Sequence, residues 1–211
     1  MMSSAKDVPG APAVFLDRDG TINEQMGYIN DLGRFQLLPG VGHAIRQLNE
    51  FGLPVVVVTN QSGVGRGYFP ESLLTAVHAK MDRLLAQDGA HVDGLYVCPH
   101  HPESRVEQYR LRCNCRKPKT GLLEQAAREL KLDLRRSYVV GDRWSDLRCG
   151  AAVQARTILV LTGYGRGELC YVAQEETVQP DHVADDLAEA VQWIIAHERV
   201  FNHSKNIYNR Q

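Results

Sequence analysis

Two aspartates two positions apart, Asp17 and Asp19, follow the apolar run Ala13–Leu16 in the segment Asp17-Arg18-Asp19-Gly20-Thr21. On extended backbone such a pair projects to one side, and Gly20 permits a tight turn that can offer backbone N–H groups to an anion. Taken alone, Asp-x-Asp is more often a turn stapled by carboxylate bonds to backbone N–H. Two other segments change that reading. The run Val55–Val58 ends in Thr59-Asn60, and Tyr138–Val140 ends in Gly141-Asp142, with Asp146 four residues on. Open α/β sheets bind ligands at the carboxyl ends of their strands, so three strand ends would deliver carboxylates, a hydroxyl and an amide to one edge. Acids from the first strand together with Asp142 make an oxygen-rich pocket suited to magnesium. Arg116-Lys117-Pro118 precedes a predicted helix and adds an ammonium able to neutralise a phosphoryl oxygen; in isolation it would read as a solvated basic loop.

A second group of residues points to a softer metal. Cys98-Pro99-His100-His101 is followed by Cys113-Asn114-Cys115. Three thiolates and an imidazole match a closed tetrahedral zinc site, with His100 and His101 competing for the fourth place. The bland alternative is reduced core cysteines beside a surface histidine. Zinc would pin the loop 98–115, and because Cys115 directly precedes Arg116-Lys117 it would position the lysine, a structural role. Cys149 and Cys170 stand apart and read as filler.

These residues need a frame. The apolar runs Ala13–Leu16, Val55–Val58, Leu95–Val97, Tyr138–Val140 and Ile158–Leu161 predict strands. Between them lie helical stripes: Val41, Ile45 and Leu48; Leu73 to Leu85 after Pro70; Leu122 to Leu130; and Leu187, Val191 and Ile194. Alternating strand and helix predicts an α/β fold, a three-layer Rossmann-like parallel sheet with helices on both faces. At 211 residues with 44% hydrophobic content the chain suits one domain, expected over 11–200, with loosely ordered ends at 1–10 and 202–211. The formal net charge of −1 argues against nucleic-acid or membrane-surface partners. The longest apolar stretch, Leu53–Val58, is far below the roughly 20 residues of a membrane span. With no apolar signal core in 1–12, a cytoplasmic location is expected; a monomer is expected as well.

In order along the chain, Asp17-Arg18-Asp19-Gly20-Thr21, Thr59-Asn60, Lys117 and Gly141-Asp142-x-x-x-Asp146 resemble the four motifs of the haloacid dehalogenase superfamily of phosphatases. The resemblance implies that Asp17 is a nucleophile forming an aspartyl-phosphate and that Asp19 is general acid and then base. It further implies that Thr59 and Lys117 hold phosphoryl oxygens, and that Mg2+ sits between the Asp17 carboxylate, the Asp19 main-chain carbonyl and Asp142. Asp146 would bind metal or orient Lys117. The zinc loop, with Gly27-Tyr28, Thr59-Asn60-Gln61-Ser62-Gly63 and Cys115-Arg116-Lys117-Pro118, narrows the resemblance to the heptose-1,7-bisphosphate 7-phosphatases, which supply heptose for cell-surface glycans. The histidinol-phosphate phosphatases, which share the zinc loop, are the rival. By that match His100 joins Cys98, Cys113 and Cys115 as a Zn2+ ligand. Only 34 residues, Gly20 to Leu53, separate the first two motif strands, so no separate cap domain is expected. Contacts to a small phosphorylated sugar would then come from Arg18, the Gln25-Met26-Gly27-Tyr28 turn, Asn60, Gln61, Ser62, Arg116 and Arg143, with Arg116 gripping the distal phosphate.

Overall fold

The structure, a computed structural model, describes residues 10–208, of which 202–208 are described as backbone alone. Six strands, β1 (Val14–Leu16), β2 (Val55–Asn60), β3 (Gly94–Cys98), β4 (Tyr138–Gly141), β5 (Arg156–Val160) and β6 (His182–Ala184), form one sheet in the order β3-β2-β1-β4-β5-β6. Every pairing is parallel. The five apolar runs are β1 to β5. β6 was not anticipated, because three residues led by a histidine carry no apolar run; it is held by its register against Ile158–Val160.

Because strand side chains alternate, β1 supplies two cores. Val14 and Leu16 pack with Val55, Val57, Val140 and Ile158 on one face, under α1 (Val41–Phe51), α3 (Glu71–Gln87) and α7 (Leu187–Tyr208). Phe15 packs with Val56, Val58 and Val139 on the other, under α4 (Gly121–Leu130) and α5 (Trp144–Ala152). The predicted stripes supply buried residues in three of these helices: Val41, Ile45 and Leu48 in α1, Val77, Met81 and Leu85 in α3, Leu122, Leu123 and Ala126 in α4; α5, for which the sequence showed no stripe, buries Trp144, Leu147 and Cys149. Helix α1 is bounded by Gly40 and Gly52, both left-handed (φ 75° and 82°), a conformation glycine adopts without a Cβ clash.

At the far end α7 runs to Tyr208, through the segment from 202 whose polar composition suggested a loose end. Once nucleated on the sheet, a helix gains one backbone bond per added residue, and polar residues do not stop it. Residues 1–9 and 209–211 lie outside the described residues, so the rest of that expectation does too. Among the described residues no helix is long and apolar enough to cross a membrane.

The strand order winds outward in both directions from β1. From β1 the chain moves to β2 and β3, then returns to β4 on the opposite side of β1. Such a reversal opens a crevice beyond the carboxyl ends of β1 and β4, where Asp17 and Asp142 emerge. Between β1 and β2 the chain builds only the short turn Leu32–Arg34 and α1.

Candidate active site

A cavity of about 350 Å3 opens at this sheet edge, lined by Asp17, Asp19, Gln25, Gly27, Tyr28, Thr59, Asn60, Arg116, Lys117, Arg143, Ser145, Asp146 and Tyr164. At its base the Lys117 ammonium lies 2.8 Å from Asp17 Oδ1 and 2.6 Å from Asp146 Oδ1. It also donates to the Val58 carbonyl at 2.8 Å. The ammonium thus faces three oxygens, two of them on carboxylates. Burial alone would pull Lys117 down, but the carboxylates of Asp146 and Asp17 outweigh it and raise its pKa.

The lysine is delivered by backbone, not by its flexible stem. The Asn60 carboxamide clamps the Lys117 main chain, accepting from its N–H at 3.1 Å and donating to its carbonyl at 3.3 Å. Asn60 itself sits beside Cys98 in the β2–β3 register. Asp146, whose role the sequence left open, serves two partners: one oxygen pairs with Lys117, while the other accepts from the Arg143 N–H at 3.2 Å and caps α5.

Ligand oxygens of Asp17, Asp142 and Asp146, all three within 4.8 Å of one another, form a group able to hold a cation. Burial first, then the crowding of like charges, pushes Asp17 and Asp142 well above the usual carboxylate range. Asp142 Oδ1 is buried with no hydrogen-bond partner. An orphaned oxygen in a crowded acidic group fits a hard divalent cation such as magnesium. The backbone comes close enough to build this only through glycine: a Cβ on Gly20 (φ +86°) or Gly163 (φ +55°) would lie 2.1 or 2.2 Å from the Asp142 carboxylate.

Asp19 faces a different set. Its carboxylate accepts from Arg18 at 2.9 and 3.0 Å, from Asn23 at 3.0 Å and from Gln61 at 2.7 Å. Gln61 also donates to Thr59 Oγ1 at 2.9 Å. Four residues expected to touch substrate therefore stand outside the cavity lining. Arg18 is 1% exposed and spends its guanidinium on Asp19 and on His78, 3.1 Å away; the alternation that aims Asp17 and Asp19 outward sends the residue between them inward. Met26 packs on the core, Gln61 lies behind Thr59 and Asp19, and Ser62 is buried at the start of α2 (Ser62–Gly65). Gln25, Gly27, Tyr28, Asn60, Arg116 and Arg143 do line it. Ser145 and Tyr164 were missed; Tyr164 belongs to the loop after β5, which no motif marked.

His78 is held neutral by burial and by the Arg18 charge, its pKa lowered from 6.5 to about 4. The unfolded chain binds this proton below pH 6.5 and the folded chain refuses it until about pH 4. Stability must therefore fall as pH drops through that window, by roughly 2–3 kcal/mol from this group. In a pH series of urea melts, His78→Gln, which keeps an acceptor for Arg18, should flatten the slope between pH 4 and 6.5.

On the β2–β3 side, Cys98, His100, Cys113 and Cys115 converge. Cys98 Sγ lies 3.5 Å from Cys113 Sγ and 3.1 Å from Cys115 Sγ, and His100 Nδ1 lies 3.2 Å from Cys115 Sγ. A tetrahedron with metal–sulfur bonds of about 2.3 Å has edges of roughly 3.5–4 Å, close to these. His101 turns away to Arg66 and the Glu103 N–H. Burial pushes the Cys98 and Cys115 thiols up, while at Cys113 the neighbouring thiols outweigh burial and bring it down. The cysteines are all free.

The sequence and the fold recur in known proteins. A HAD-hydrolase-like family model matches residues 114–190. A D-glycero-beta-D-manno-heptose-1,7-bisphosphate 7-phosphatase from Haemophilus ducreyi is 41% identical over 88% of this chain and 99% of its own length. The chain belongs to the D-glycero-D-manno-heptose-1,7-bisphosphate 7-phosphatase family. Its relative from Photorhabdus laumondii is 45% identical over 73% of this chain and 82% of that protein. Among solved structures, the D,D-heptose 1,7-bisphosphate phosphatase of B. bronchiseptica, complexed with magnesium and phosphate, superposes with a TM-score of 0.78 at 34% identity, covering 88% of this chain and 99% of that one. The parallel six-stranded sheet is therefore the HAD-like fold shared across this family.

Proposed function

We propose that this chain is a magnesium-dependent phosphatase that removes the 7-phosphate of D-glycero-D-manno-heptose 1,7-bisphosphate and leaves the 1-phosphate. The observation that carries the reading is Asp17, at the end of β1, held 2.8 Å from Lys117 and beside Asp142, at the base of a sugar-sized cavity. The family's own names supply the substrate.

Asp17 attacks phosphorus, forming an aspartyl-phosphate as the bond from phosphorus to the sugar oxygen breaks. Asp19 gives its proton to that oxygen. In the second half Asp19 takes a proton from water as the resulting hydroxide bonds to phosphorus, and the acyl-phosphate bond opens to return the Asp17 carboxylate. Lys117 and the Thr59 hydroxyl bind phosphoryl oxygens. Asp17 and Asp142, with Asp146 near, would hold magnesium, which would supply positive charge that stabilises the transition state. Arg18, Asn23 and Gln61 fix the orientation of Asp19. Arg116 and Arg143 bind the phosphate that is kept, and Gln25, Gly27, Tyr28 and Asn60 shape the space for the sugar.

Phosphate release from heptose bisphosphate, histidinol phosphate and fructose bisphosphate tests this reading. Heptose bisphosphate should give the highest kcat/KM; faster turnover of histidinol phosphate would overturn the substrate. Zinc is the second metal of the proposal, bound by Cys98, His100, Cys113 and Cys115. Metal analysis should give about one zinc per chain, and Cys113→Ser should lower both zinc content and the thermal midpoint. Zinc-free protein from a chelator-free preparation, with the midpoint unchanged in Cys113→Ser, would remove zinc from the account.

A further inference from the structure

Tyr164 belongs to no motif, yet it meets the site at two points. Its backbone N–H donates to Asp142 Oδ2 at 2.9 Å. Its ring lies against the Arg143 guanidinium, with Cζ 3.9 Å from the ring centroid, and both side chains line the cavity. The loop that presents the ring is anchored: Gly163 (φ +55°) passes too close to Asp142 to carry a Cβ, and the Gly165 N–H donates to the Thr162 carbonyl at 2.8 Å. Among the described residues no protein acceptor takes a hydrogen bond from the Arg143 guanidinium. A guanidinium fixed through its face keeps its N–H edge for a ligand, and forked N–H donors match a phosphate.

We propose that Tyr164 is a positioning residue for substrate selectivity: its ring holds Arg143 in the orientation that grips the phosphate which is not hydrolysed. This rests on the bisphosphatase reading above. The ring face, not the hydroxyl, does the holding, because the contact is to the guanidinium plane. Replacing the side chain leaves the backbone bond to Asp142 in place, so the effect belongs to binding of the second phosphate and not to the chemistry at Asp17.

The test measures kcat/KM for heptose 1,7-bisphosphate and for heptose 7-phosphate, and takes their ratio. Tyr164→Ala should lower the ratio about two- to fivefold, mainly through KM, as expected for a partly exposed cation–π contact. Tyr164→Leu, which keeps apolar bulk without a π face, should match it, and Tyr164→Phe should keep the wild-type ratio. In an Arg143→Ala background, Tyr164→Ala should change the ratio no further. An unchanged ratio in Tyr164→Ala, a loss in Tyr164→Phe as large as in Ala, or additive losses with Arg143→Ala would each overturn the inference alone. A wild-type ratio near one would overturn the bisphosphatase reading, and the inference with it.

Discussion

Asp17→Asn is expected to abolish phosphate release, lowering kcat by at least about 10⁴-fold, the scale on which removing a catalytic nucleophile acts. The amide is nearly isosteric, so the fold should persist, but it has no anionic oxygen to attack phosphorus. The substitution also removes one of three carboxylates whose oxygens lie within 4.8 Å of one another. Relief of that crowding offsets the loss of one partner to Lys117, which keeps Asp146 and the Val58 carbonyl. The melting temperature in chelator should therefore stay at or above that of the wild type. Added magnesium should raise the wild-type midpoint by binding the folded state and raise the variant's much less. Full activity in Asp17→Asn would end the aspartyl-phosphate mechanism, and an undiminished magnesium response would remove Asp17 from the cation site.

Lys117→Met carries the second large effect, and here stability and activity fall together. The ammonium is 5% exposed as a residue and bonds two carboxylates and a carbonyl. Removing it leaves Asp17 and Asp146 buried without their counter-charge, a change that typically costs about 3–5 kcal/mol. The loss of a charge that neutralises the phosphoryl oxygens should lower kcat by roughly 10²- to 10³-fold. Magnesium should restore part of the melting temperature, since a divalent cation can take over the neutralising role for the same carboxylates, but not the activity. Lys117→Arg should not rescue, because a planar five-donor guanidinium does not fit a slot built around three converging acceptors. Wild-type melting of Lys117→Met in chelator would mean that these ion pairs contribute little to the fold.

Much of this chemistry was legible before any folding. Each functional type stands immediately after an apolar run: Asp17 after Ala13–Leu16, Thr59 and Asn60 after Val55–Val58, Asp142 after Tyr138–Val140. A parallel sheet has one carboxyl edge, so strand identity alone brings these residues to it. The cysteine and histidine types likewise define a zinc-like donor set without a coordinate.

What spacing could not supply is direction. His100 and His101 are neighbours of the same type, and the side chain that turns into the thiol cluster is decided by how the loop packs. Asp146 had two open roles until its oxygens met Lys117 and the Arg143 N–H, twenty-nine and three residues away in the chain. Arg18 is expected from the sequence to contact substrate, yet strand alternation buries it against His78, sixty positions on. Tyr164 carries no local signal at all; it reaches the site because β5 lies beside β4 in the sheet. The sequence by itself determined which chemical groups this protein gathers and at which edge. Only the tertiary structure decided which atoms face one another, because pairing across the sheet depends on the packing of distant segments, which local pattern does not encode.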